Sequence, residues 1–173
     1  MNIKSLLLIL LFATFGNVAS KAQSGGFCDV VNTLLKESES KFKNIQGQMM
    51  EMNATATMWA STVKLPGSIG YRIVNSMGFF YESAVLQTTN REEIKPIYEE
   101  YKKKLSECLS VQGYDISYQE NFIAGLSDYK KVVFMKKVKE DTHVDQLPPH
   151  VTMEVTYSKE VGKFTVVIFL FQH

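Results

Sequence analysis

Asp141, His143, Asp145 and His150 put two imidazoles and two carboxylates within ten residues, a donor set suited to zinc or a similar ion. Their spacing fits no rigid helical or hairpin site. They fall in a polar stretch, 140–150, that also carries Pro148 and Pro149 and therefore reads as a loop, so no metal is assigned. Paired carboxylates would suit acid and base chemistry on a sugar polymer. Glu92 with Glu93 and Glu99 with Glu100 are such pairs, but they sit on a helical segment where successive side chains diverge by about 100° and do not meet. Glu82 and Glu154 lie in strand-like segments and fit ordinary outward alternation. Ser68, in Gly67-Ser68-Ile69-Gly70, lacks both the spacing and the strand-to-helix setting of a nucleophile elbow and follows Pro66, which makes it a turn residue. No Gly-rich phosphate loop occurs. The residues thus assign no catalytic group and no cofactor.

Two further sets have chemistry of their own. Met49, Met50 and Met52, followed by Met58, are soft ligands for Cu(I) or adaptable apolar contacts. The simpler reading has Met49 extending the inner stripe of a preceding helix and the others packed under a sheet. Cys28 and Cys108 open one helical segment and close another, which predicts a disulfide joining the two helices side by side. Closing a loop of that length is worth roughly 4.5 kcal/mol in the chain-entropy model, as an upper figure.

The elements that must position these residues follow from periodicity. Phe27, Val30, Val31, Leu34, Leu35, Phe42 and Ile45 recur at helical spacing with lysines and glutamates opposite, predicting a helix that ends near Gly47. A second helix spans 90–110, with Ile94, Ile97, Tyr101, Leu105 and Cys108 inward and Thr89 and Glu92 resembling a capping box. Pro96 should kink it or shift its start. Strands are expected at 58–65, 79–88, 114–119, 131–138, 151–157 and 164–171, with a short extended piece at 71–74. The last strand is apolar on both faces and should be interior or covered.

The order α-β-β-α-β-β-β-β is that of an α+β, two-layer domain in which an antiparallel sheet of about six strands carries two helices on one face. Ile45-Gln46-Gly47 and Val111-Gln112-Gly113 recur 66 residues apart, suggesting a degenerate internal duplication.

At the other end of the chain, residues 1–22 have Lys4, an apolar run at 6–15 and Ser20-Lys21-Ala22, the pattern of a secretory signal peptide cut before Gln23. The apolar run is shorter than a membrane span requires. Residues 23–173 then form one domain, exported to the periplasm or the extracellular space. Without Lys4 and Lys21, seventeen basic residues face eighteen acidic ones, a balance that disfavours nucleic acid and anionic lipid as partners.

What remains is an aromatic bias through the centre of the chain. Two helices cover only one face of such a sheet, so some of these rings should stay accessible. Trp59, Phe80 and Tyr81 are the candidate contact residues. The expected function is a non-enzymatic binding or interaction module that takes an unidentified protein or small apolar ligand on this face. The alternative is a small exported hydrolase or metal-dependent enzyme using the loop 140–150.

Overall fold

Val166 to Leu170 are apolar at every position, and a strand with two apolar faces is unsuited to a sheet edge and calls for strands on both sides. It takes that place. In the computed structural model, which describes residues 26–119, 130–138 and 147–172, this strand lies at the centre of one antiparallel sheet. In chain order the elements are α1 (Phe27–Ser38), β1 (Gln46–Met52), β2 (Ala56–Ser61), β3 (Gly70–Ser76), β4 (Phe79–Thr88), α2 (Ile94–Ser110), β5 (Tyr114–Gln119), β6 (Lys131–Lys136), β7 (His150–Ser158) and β8 (Lys163–Gln172). The sheet has eight strands in the order β1-β2-β3-β4-β8-β7-β6-β5, and both helices pack against β4 and β8.

The α+β class stands, and six strands become eight. The extended piece at 71–74 is the middle of a full strand, β3, paired on both sides. The other addition, β1, occupies residues read as the end of the first helix and its methionine cluster. That helix stops at Ser38 instead of running to Gly47. It ends within the Glu37-Ser38-Glu39-Ser40 run, in which the Ser38 hydroxyl donates to Leu35 O (2.6 Å) and Ser40 Oγ donates to Glu37 O (3.0 Å). Such side-chain bonds compete with continued helix. Lys41 and Phe42 then adopt left-handed φ values of 55° and 59°, which reverses the chain and delivers the Phe42 ring to the core. Gln46 onward pairs with β2 as an edge strand, leaving Met49, Met50 and Met52 exposed rather than packed under the sheet.

Helix α2 begins after a short 3-10 turn, Arg91–Glu93, capped by Asn90, whose side chain accepts from Glu92 N at 3.1 Å. Thr88, not Thr89, completes the cap: its hydroxyl accepts from Asn90 N (2.9 Å) and donates to Glu93 Oε2 (2.8 Å). Pro96 falls in the first turn, where the missing N–H would lack an intrahelical partner anyway, so the helix continues past it. Tyr98 and Leu109 join the inner face, while Ile97 lies at its margin.

The disulfide joins Cys28 to Cys108, the first turn of α1 to the last turn of α2. The core lies between these helices and one face of the sheet: Val30, Val31 and Leu34 with Tyr98, Tyr101 and Leu105 above, and Ile73, Tyr81, Met153 and Ile168 below. Each half of the chain is a helix followed by a four-stranded meander, and the halves meet where β4 pairs with β8. One residue beyond the offset of 66, buried Val31, Leu34, Ser38 and Phe42 fall opposite buried Tyr98, Tyr101, Leu105 and Leu109 in the sequence.

Candidate functional site

Side chains alternate across a strand, so the register sorts every aromatic onto a face. Tyr81 pairs with Ile73 and Leu170 on the helix-covered face and is 0% exposed. Its hydroxyl donates to Val63 O at 3.3 Å and accepts from Leu65 N at 3.2 Å. Burial, only partly offset by the hydrogen bonds from the Leu65 N–H and the Ser83 side chain, pushes the phenol up to about 12. Tyr81 therefore anchors the 63–65 segment inside the core and offers no contact surface. Trp59 pairs with Ile73 on the same covered face, half-buried, with its ring stacked on Phe79 at 6.2 Å. It closes the rim of the core.

Of the three residues expected to form one surface, only Phe80 points the other way. On that helix-free face the register lays out rows. Met58, Val74, Phe80, Phe171 and His150 form one, and Arg72, Glu82, Phe169, Thr152 and Val133 the next. The rings converge: Phe80 lies 5.2 Å from Phe171 and 5.9 Å from Phe169, the latter two are 5.6 Å apart, and His150 stacks on Phe171 at 4.8 Å. All four are half-buried, and Val74, Thr152 and Val167 among them are buried. Beside the rings, Arg72 makes a bidentate pair with Glu82 (Nε to Oε2 3.1 Å, Nη2 to Oε1 2.9 Å) and reaches Met58 Sδ (3.5 Å). The site is thus an apolar aromatic cluster with an ion pair on its flank.

The sequence does not single out Phe169 or Phe171, and it offers His150 only as a metal-ligating or catalytic candidate, not as a ring on this face. Their only signal there is that positions 169 and 171 alternate within β8; which face they share with Phe80 depends on the β4–β8 register, and no local pattern carries that.

The candidate chemical groups are distributed differently. Glu82 is held by Arg72, and Glu154 lies 3.9 Å from Lys131. His150 sits in the row beyond Glu82, against a phenyl ring. Ser68 is buried, sharing a hydrogen bond of 2.5 Å with the Ser83 hydroxyl, and is not presented to a substrate. Gly67 makes this turn possible, since its φ is 84° and a Cβ there would run into the Tyr101 hydroxyl. Asp141, His143 and Asp145 lie outside the described residues. Among the described residues no group of three or more metal-ligating side chains gathers, and no helix is long and apolar enough to cross a membrane.

Comparison of the chain with protein-family models, with curated proteins and with solved structures found no match.

Proposed function

We propose that this protein is an exported, non-enzymatic binding module that holds an apolar partner or ligand on the helix-free face of its sheet. The observation that carries the reading is the convergence of Phe80, Phe169, Phe171 and His150 on a face that neither helix covers. Half-buried rings on such a face are apolar area kept near water, which a soluble domain rarely leaves without a use. Aromatic area, not charge, would supply the affinity. Export is supported by the leader pattern at 1–22 and by the disulfide, a bond that persists in oxidising compartments.

The test is titration of the folded chain with the apolar dye anilinonaphthalene sulfonate, using Phe80→Ser together with Phe171→Ser. The double variant should keep its near-ultraviolet circular dichroism and lose dye binding. A variant that instead unfolds with a core-sized cost of about 3–5 kcal/mol, or stays folded with dye binding unchanged, would mean that the rings only pack the sheet.

A further inference from the structure

A cleft of about 480 Å³ opens where the C-terminal half of α1, the turn after α2, the ends of β6 and β8 and the residues before β7 come together. It lies apart from the aromatic rows and holds a different chemistry. Two of its lining residues, Asn32 and Gln172, carry side-chain carbonyl oxygens that are buried and accept no hydrogen bond. A buried acceptor without a donor is unfavourable, and most such groups in folded proteins are paired. Here two residues carrying such a group, far apart in the chain, both line one concave space.

The rest of the lining is charged at some points and apolar at others. Lys36 and Lys136 bring two ammonium groups and Glu39 one carboxylate. Lys136 Nζ stands 5.1 Å from the centre of the Tyr114 ring. Burial first, and the Glu39 carboxylate second, push the Tyr114 phenol up to about 12, so at neutral pH it remains a hydrogen-bond donor. Leu147 and Pro148 supply an apolar wall. The volume lies within the range usual for small-molecule sites.

We propose that this cleft binds a small zwitterionic ligand of the amino-acid or short-peptide class. Its N–H donors would meet Asn32, Gln172 and Glu39, its carboxylate would lie by Lys36 and Lys136, and its apolar side chain would rest on Leu147 and Pro148. An uncharged polyol would satisfy the two amides but leave the three charges unused. The ligand in turn stabilises the fold by mass action, because the unfolded chain has no such site.

The experiment uses the tripeptide Ala-Leu-Ala with free termini, the same peptide acetylated and amidated, and glucose, each followed by thermal shift and calorimetry. The free tripeptide should raise the melting temperature with concentration, and blocking its termini should weaken binding about tenfold or more. Asn32→Leu and Gln172→Leu should each abolish most of the binding while leaving the melting temperature of the ligand-free protein unchanged or higher, since each removes an unpaired acceptor. Three results would overturn the proposal: no binding of the free tripeptide up to about 10 mM, beyond the millimolar range; equal binding of the blocked peptide or of glucose; or ligand-free variants destabilised as residues with internal partners would be. Phe80→Ser with Phe171→Ser should leave tripeptide binding intact, so failure of the aromatic-face reading and failure of this one are distinguishable.

Discussion

Phe80 and Tyr81 are neighbours on one strand and each carries an aromatic ring, yet the sheet gives them opposite surroundings. Tyr81 lies under the helices, fully buried, its hydroxyl tied to the backbone of residues 63 and 65. Phe80 lies on the far face among Phe169 and Phe171, half-buried, with rings for neighbours and no helix above. Burial on the first face is shared between two layers of the molecule, whereas on the second, among the described residues, it comes from side chains of the sheet itself. Aromatic content therefore does not tell core from contact surface; the layer on the other side does.

The contrast is most exposed to failure in a pair of truncations. Tyr81→Ala should cost about 3–5 kcal/mol by denaturant unfolding, because it opens a cavity beneath the helices and leaves the Leu65 N–H without its acceptor. Phe80→Ala should cost less than half as much. Equal costs would erase the distinction between the faces.

A smaller effect is expected from replacing Cys28 and Cys108 together by serine. The bond spans a sequence separation of 80 and belongs to the helix layer, so its loss should lower stability by about 2–4 kcal/mol. Protein that remains folded should still bind dye on the other face. Loss of dye binding in folded material would show that the aromatic rows depend on the helices after all.

Smallest is the response to alkali. Tyr81 and Tyr114 both have phenols raised from 10.0 to about 12 by burial, so the folded state holds their protons more tightly than the unfolded state does. Their contribution to stability is complete below pH 10.0 and is lost as the pH rises toward about 12. Tyrosinate absorbance should show a late-titrating fraction that coincides with alkaline unfolding, and Tyr81→Phe should reduce that fraction. Ionisation of every tyrosine near its ordinary value in the folded protein would place Tyr81 in water and end the comparison.

The candidate site was much less legible than the fold. Phe80 was identifiable because a strand of alternating apolar residues must put something on each face. Trp59 and Tyr81 are equally good candidates by that pattern and lie on the covered face, since period two separates the faces without naming which one the helices cover. Asn32 and Gln172 carried no local signal at all: a polar residue on an amphipathic helix and one near the chain end are ordinary until both are found bordering one cleft.

What the residues determine alone is whatever depends on near neighbours in the chain. The bounds of β4 and β5 and the interior position demanded by the apolar run 166–170 follow from alternation and hydrophobicity within a few residues. The Cys28–Cys108 bond follows from having only two cysteines, one at each end of a pair of helices. Tertiary structure decided the rest. Gln-Gly-Gln-Met-Met-Glu-Met has little intrinsic preference for a strand and becomes β1 because β2 offers it an unpaired edge. The pairing of β4 with β8 joins residues far apart in sequence and sets which rings meet on the open face. Local interactions select a conformation, but a face, a cleft or a register exists only once distant segments are packed, and the free energy that chooses among them is the burial they share.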